Sequence, residues 1–496
     1  MEISKPSQVN INVVRGSNKW VVSTLALAIS SAMFGQVMAE EVNLDTVVIE
    51  DNKAAPEANP YAEPDAPYKA KKLSDSKRTR NIAETPQTMT VLTKEALLDS
   101  GKTELKDILS AQPGITLGTG EGGNSFGDRY IIRGYEARND VFADGLRDPG
   151  LITRETFAIE QIEITKGPSS TFAGRGSTGG AVNSVTKKAS LDDDFLTLSG
   201  GIGTDEYQRY TLDGNKVLTD DLAIRLNVLY SDADIPDRAP AEERRKGALF
   251  SGVYEPTDAL RLTADYYYFR ADDRTDPGVI MRGPRGGTKT LDPHVEYVGQ
   301  DGLDFQESEA DIFTFGFESK LSDGVTLENN TRIGETANDY IISTFSPASS
   351  SNPDRTRTFS KWQENDYIGN QTNLIIDRNL WGKRHTVVTG VEFAKEKTDS
   401  GSYNVDPSSV AIDPYNPNNN AWSGTYNRND ATAKLELKTV SAYVMDTITL
   451  SDEWEVFAGV RYDYFDYDLW TAASNGRGGP QPERDRSFAQ ALSREE

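Results

Sequence analysis

The chain has 496 residues, 36% of them apolar, a formal net charge of -24 and no cysteine. This length exceeds one ordinary core and calls for more than one domain. The acidic balance argues against nucleic acid as a partner, and the missing thiols exclude disulfides, thiolate metal sites and cysteine catalysis.

A mean hydropathy of -0.57 reads as soluble, but membrane strands that alternate apolar and polar residues average out to the same value. In chain order, residues 1–39 are expected to be a targeting signal. Arg15 and Lys19 precede an apolar run over 21–34, and Val37-Met38-Ala39 offers a small-residue cleavage site before Glu40. That run is too short and too rich in serine to span a bilayer, and no later segment reaches the ~18 apolar residues a membrane helix needs. Next come Leu44, Asp45, Thr46, Val47, Val48 and Ile49, a β-favouring peptide near the new terminus. Residues 50–80 carry Pro56, Pro60, Pro64 and Pro67 among Ala, Glu, Asp and Lys, and are expected to stay disordered. A sticky strand on a disordered leash suits capture by β-augmentation, although a short strand of the folded domain would look similar.

Residues 87–92 predict a strand. A helix follows Thr93, with Ala96, Leu97 and Leu98 apolar. Another starts with Thr103 as N-cap, carries Leu105, Ile108 and Leu109 on one face, and stops at Pro113-Gly114. Strands over 129–133, 140–143, 159–164 and 181–186 complete one small α+β core. Gly134 and Asp144-Gly145 read as turns whose glycines supply positive φ. The stretch from Gly174 to Gly179 matches the letters GxGxxG. A dinucleotide fingerprint needs a strand before it and a helix after it, whereas here a Pro-Ser-Ser loop precedes and a β-like run follows. Nucleotide binding is therefore rejected.

From Leu191 onward the period changes to two. Leu222, Ile224, Leu226, Val228 and Tyr230 alternate with Ala223, Arg225, Asn227, Leu229 and Ser231. The same holds around Leu260 to Phe269 and Val456 to Asp463, with aromatics clustered at strand ends. Tight links at Thr219-Asp220, Glu255 to Asp258, Ser322 to Gly324 and Ser451-Asp452 alternate with long polar ones near 232–243, 271–306, 338–358 and 397–432. A β-sandwich has no reason to sort its loops this way; a bacterial outer-membrane barrel does. About eleven strands fit before a polar tail over 472–496.

The stretch 81–189 contains RYIIRGYEARNDVFADGLRD from Arg129 and KGPSSTFAGRGSTGG from Lys166. It resembles the plug domain of TonB-dependent outer-membrane receptors. The resemblance implies a transmembrane β-barrel of about 22 antiparallel strands with an N-terminal α+β plug, in the outer membrane of a Gram-negative bacterium. The domains would then be a linker at 40–79, the plug at 80–190 and barrel strands at 191–496, in contact with outer-membrane lipid. Only about half the barrel is expected to be present, because an odd count cannot close and the chain ends in Arg494-Glu495-Glu496 rather than an aromatic-terminated strand. Such a fragment would expose unpaired edges, which puts its own transport in question. By the same resemblance, Asp45, Thr46, Val47, Val48 and Ile49 look like the TonB box, gripped by a TonB-type energising protein of the inner membrane.

The family's function is energised uptake of a scarce ligand, most often a ferric siderophore, and GYEARNDVFADGLRDPG from Gly134 looks closest to the iron–catecholate receptors. Cobalamin, hydroxamate or sugar import, or a non-transporting binding module, are the alternatives; a passive porin would need neither plug nor box. By similarity, Arg133 and Lys166 sit at the plug–barrel contact and pair with barrel carboxylates, or else flank turns as exposed charges. The ligand is expected at 135–139 and 146–152, where Arg138 and Arg147 offer charge and Tyr135 stacking to an anionic, flat-ringed ferric catecholate. Both arginines could instead pair with Glu136 and Asp148. Neither His294 nor His385 has a metal partner nearby in sequence and no nucleophile motif occurs, so no enzyme activity, cofactor or metal is expected. The many acids read as solvated loop faces, with calcium a lesser option.

Overall fold

The computed structural model describes residues 7–12, 59–63, 66–118, 128–278, 280–282, 290–292, 294, 296–348, 353–472 and 486–491. The cleavage site and the segment from Asp45 to Ile49 lie outside the described residues. Two bodies follow in sequence: a small α+β domain, and a large antiparallel sheet that holds it against one face.

The small domain opens on β1 (Thr88–Thr93), whose last residue caps α1 (Lys94–Ser100): Thr93 Oγ1 accepts from the Ala96 N–H, and Gly101 ends the helix in the left-handed region at φ 64°. The second helix, α2 (Leu105–Ser110), is capped by Glu104 rather than Thr103, and with no side-chain bond, because the Glu104 carboxylate is engaged by Arg245. Short strands β2 (Ile115–Leu117), β3 (Tyr130–Ile132) and β4 (Tyr135–Glu136) form a three-stranded sheet. The main sheet takes β5 (Val141–Ala143), β6 (Leu146–Arg147), β7 (Ile159–Lys166) and β8 (Gly180–Thr186) in the order β1-β7-β8-β5-β6. Leu105, Ile108, Leu109, Tyr130, Ile132, Ile162, Ile164 and Val182 close one apolar core. Gly134 and Gly145 do adopt positive φ, at 85° and 77°. Gly174 and Gly176 lead into β8 after the four-residue α3 (Ser170–Ala173), which is not the surroundings a dinucleotide needs.

The large sheet runs through β9 (Phe195–Ile202), β10 (Gln208–Thr219), β11 (Leu222–Asp234), β12 (Glu242–Thr257), β13 (Leu260–Asp273), β14 (Phe305–Ser322), β15 (Val325–Ser346), β16 (Arg355–Leu380), β17 (Lys383–Gly401), β18 (Ala433–Thr449) and β19 (Glu455–Thr471), each paired antiparallel with the next. Its polarity is the reverse of a soluble sheet. On β11, Leu226, Val228 and Tyr230 are exposed while Arg225 and Asn227 are buried. Phe313, Phe315, Val391, Phe393, Val440, Val444, Val456 and Val460 repeat the exposed apolar face across the sheet. Such a surface is stable only against lipid, with the polar face turned to the plug. Links at the β10–β11, β12–β13, β14–β15, β16–β17 and β18–β19 ends are tight, and Trp381 and Trp454 stand exposed there as interfacial anchors. The Trp381-Gly382 turn, with both residues at positive φ, escaped the sequence reading.

Three expectations change. First, the sheet, which is open among the described residues, has two strands more than the eleven expected, Ser7–Asn12 beside β9 and Arg486–Ala491 beside β19. The first strand falls inside the segment read as a leader, and the second inside the stretch read as a polar tail. The leash is also folded over 59–63 and from residue 66 onward: Asn59, Leu73 and Lys77 are buried. Third, many acids are not solvated: Glu104, Glu155, Glu160, Glu163, Asp213 and Asp265 are all buried.

Candidate functional site: the plug face and two plug–sheet seams

The expected ligand loops lie toward the long-loop end of the sheet, where Asn338 of β15 donates to the Leu151 carbonyl at 2.7 Å. Tyr135 is exposed, and Arg138 is partly buried beside Glu136 at 3.5 Å. Arg147 is different. It is only 6% exposed, and its guanidinium donates to the carbonyls of Asn139 and Arg175 (2.8 Å to the latter), stands 3.5 Å from Asp140 and lies over the Phe142 ring. It ties the 139–140 turn to the glycine-rich loop and presents no charge outward. Arg133 is exposed and sits beside Lys166, whose ammonium is pushed down by partial burial and by that neighbouring cation. Neither has a carboxylate partner among the described residues, so the pairing expected for them is not made by this sheet.

Other charges join plug and sheet. Along β10–β13, Glu155 has a fully buried side chain and receives Arg209 at 2.8 Å and Arg245 at 3.1 Å. Arg245 also meets Glu104 at 2.7 Å and Asp273 at 3.4 Å. Arg225 grips Asp213 with two bonds of 2.8 Å and reaches Glu160 at 3.3 Å. Lys187 meets Asp213 at 2.9 Å, and Lys188 bridges Asp144 at 3.0 Å and Asp265 at 2.6 Å. Phe157 and Ile152 pack among Leu229, Leu249, Phe269 and Ile312. Beside this seam lies a polar cavity of about 190 Å³ lined by Lys106, Asp128, Arg245 and Arg274. Burial pushes the Asp128 carboxyl up to about 6 against the pull of Arg154 and Lys106. Burial acts on Asp148 as well, but Arg154 and Arg332 outweigh it and hold that carboxyl below the usual range.

Along β16–β19 the connection runs through the folded leash instead. Its hub is Glu163, a buried carboxylate that accepts from the Ser74 N–H at 2.6 Å, Gln161 at 2.8 Å and Asn183 at 2.9 Å. From there the strap reaches the tight-turn ends of the sheet. Asn373 of β16 donates to Ser76 Oγ at 3.1 Å, and Arg80 meets Thr449 at 3.0 Å and Glu455 at 2.6 Å. Lys77 is buried and donates to the Phe172 carbonyl at 3.0 Å, while the Arg78 guanidinium lies 4.2 Å over the Phe172 ring. Phe172 packs on Tyr443, Met445 and Phe457. Sequence reading missed this strap because its partners, Glu163, Asn183 and Asn373, are distant in the chain.

Above the plug, the two longest links are joined to each other. Asp301 N–H donates to the Asn419 carbonyl at 2.7 Å, and Trp422 N–H to Gln300 at 2.9 Å. Phe305, Tyr403, Tyr426 and Trp422 form an aromatic cluster with ring centroids 5.8 to 6.4 Å apart. Arg428 stacks 3.9 Å over Trp362. His385 pairs with Asp446 at 2.8 Å, and among the described residues no group of three or more His, Asp or Glu is arranged for a metal.

Comparison with known proteins gives this architecture a family. The model of the TonB-dependent Receptor Plug Domain matches residues 81–181, and that of the TonB dependent receptor-like β-barrel matches 250–492. The catecholate siderophore receptor Fiu of Escherichia coli O157:H7 is 32% identical over 439 residues, spanning 83% of this chain and 57% of the relative. The probable TonB-dependent siderophore receptor PiuA of Acinetobacter baumannii is 32% identical over 493 residues, spanning 92% of this chain and 63% of the relative. The chain thus covers less than two thirds of those curated relatives' lengths. The crystal structure of PiuA superposes with a TM-score of 0.77 at 29% identity, covering 85% of this chain and 64% of that one. The open form of Fiu from E. coli K12 gives 0.74 at 28% identity, covering 84% and 68%. The chain is a member of the TonB-dependent receptor family and carries that family's plug domain and outer-membrane β-barrel domain.

Proposed function

We propose that the receptor binds a ferric siderophore of catecholate type from outside and imports it, with residues 45–49 gripped by a TonB-type energising partner. The observation that carries this reading is the similarity to a catecholate siderophore receptor over 83% of the chain. The geometry agrees with it: exposed Tyr135 and partly buried Arg138 top the plug, and an aromatic cluster with Arg428 on Trp362 stands at the long-loop end. Flat anionic rings are held well by aromatic faces and planar guanidinium groups together. Arg147 acts from behind by fixing the loop that carries Arg138.

Titration of tryptophan fluorescence with a synthetic ferric tris-catecholate tests the ligand class. Tyr135→Ala and Arg138→Ala should each weaken binding by ~1–2 kcal/mol, the scale of a lost charge-assisted or stacking contact. Val48→Pro should stop uptake and leave this binding intact, since proline removes a donor from an added strand. Absence of catecholate binding alongside tight binding of a ferric hydroxamate would reverse the assignment.

A further inference from the structure

We infer that the lipid-facing surface of β16–β19, near their tight turns, carries a binding site for a phospholipid whose headgroup bears a primary ammonium. The site is built on Asp446 with His385 and Trp381, on the face of the sheet turned away from the plug.

Strand register puts an acid where hydrocarbon contact is expected. On β18, Asp446 shares its parity with the exposed Val440 and Val444, while the interleaved Ser441, Tyr443 and Met445 are buried. Across the sheet it stands in one row with Ile376, Val387 and Ala458. The next row away from the turns is Leu374, Thr389, Val444 and Val460. An ionisable group on such a surface is expensive, and it points to a partner. The carboxylate is half-satisfied. His385 Nδ1 lies 2.8 Å from Oδ2, but Oδ1 accepts from no group among the described residues. With the imidazole neutral, its Nδ1–H donates and the pair keeps one whole negative charge. No lysine or arginine forms an ion pair with Asp446 among the described residues.

The surroundings define what completes it. The turns beside this site carry the exposed Trp381 and Trp454, which belong at the level of lipid headgroups. Short turns of a bacterial barrel lie on the periplasmic side, so Asp446, near the end of β18, faces the headgroup layer of that leaflet. Trp381 stands edge-on to His385 with ring centroids 5.6 Å apart, and His385 is buried although it shares the strand parity of the exposed Val391 and Phe393. The indole thus covers the imidazole, whereas the Asp446 side chain remains 28% exposed to lipid. Turning the carboxylate about its soft Cβ–Cγ bond brings Oδ1 to that surface. The group that meets it must be cationic, must donate an N–H, and must carry apolar chains to lie against Val387, Val444 and Val460. A primary ammonium headgroup satisfies all three conditions. A quaternary ammonium has the charge but no N–H, and an anionic headgroup is repelled.

Native mass spectrometry of the complete receptor, released from micelles loaded with equal amounts of lipids that share the same chains, tests the site. Phosphatidylethanolamine should be retained about fivefold better than phosphatidylcholine or phosphatidylglycerol, the effect of one charge-assisted hydrogen bond at an interface. Asp446→Asn should lose that preference and Asp446→Glu should keep it. Asp452→Asn, at an exposed acid on the adjoining turn, should change nothing. A measurement on the parent protein alone covers the case of an Asn variant that fails to fold. Methylating the headgroup nitrogen once or twice should preserve part of the preference, and the third methyl should abolish it, because only then is the last N–H gone. Equal retention of all three lipids, a preference for phosphatidylglycerol, or a preference that survives in Asp446→Asn overturns the site. Displacement of the lipid by soluble phosphoethanolamine would overturn it too, by showing a pocket for a free amine in place of a lipid site.

Discussion

The plug meets its sheet in two different ways. Along β10–β13 it is joined by buried ion pairs, with Glu104, Glu155, Glu160, Lys187 and Lys188 each facing an opposite charge. Along β16–β19 it is joined by a strap, held to the sheet at Ser76 by Asn373 and at Arg80 by the partly exposed Glu455, with the single plug ion pair Arg175–Glu396 beside it. The difference matters because the two kinds of contact fail differently. Taking one partner from a buried ion pair strands the other in a poor solvent, so such a seam breaks only at high cost. A strap of ordinary hydrogen bonds, each worth about 0.5–1.5 kcal/mol, peels from one end. An interface built this way can open on one side while the other holds.

Arg245→Met should show the largest effect. It removes the one cation shared by Glu104, Glu155 and Asp273, and should cost about 3–5 kcal/mol in thermal or denaturant unfolding. A loss under 1 kcal/mol would mean that this seam is not the stronger one.

The next effect is pH-dependent. The Asp128 carboxyl, raised to about 6 when folded, holds a proton there that the unfolded chain has already released. That contribution is complete below about 4 and is lost as pH rises through 6. Asp128→Asn keeps the neutral form throughout, so it should be more stable than the parent by about 3 kcal/mol at pH 7.5, and close to it near pH 4. Equal stability at both pH values would contradict this.

A smaller change is expected at the strap. Glu163→Gln turns an acceptor of three donors into a group that accepts with one atom only, and should loosen residues 59–80 by ~1–2 kcal/mol. Limited proteolysis should then cut the strap faster while the Arg245 seam keeps its stability. Cleavage at the parent rate would remove Glu163 as the hub.

Much of the scaffold was legible in the sequence because local rules decide it. Thr93 capped its helix, Gly134 and Gly145 took the positive φ of their turns, and the alternation from Leu222 to Ser231 placed apolar and polar residues on opposite faces. What was not legible depends on residues distant in the chain. Glu104 displaced Thr103 as cap because Arg245 claims its carboxylate. Residues 59–80 have the composition of a disordered leash, yet Glu163 and Asn183 supply buried partners for their backbone and side chains. Arg147 read as a ligand contact from its loop position, but three carbonyls inside the plug take its donors. Acids thought to be solvated became the buried halves of ion pairs, since no local pattern distinguishes a charge facing the plug from one facing water.

The unequal seams can be compared most directly by hydrogen exchange of the ligand-bound receptor with and without the energising partner. The Ser74 amide reports the strap through its bond to Glu163, and the Ala189 amide reports the opposite seam through its bond to Ser251. With the partner engaged, exchange at Ser74 and across 172–176 should accelerate by at least about tenfold, while Ala189 and Lys187 keep their protection. Equal acceleration at both seams would mean that the plug leaves as one body, and the distinction drawn between them would fail.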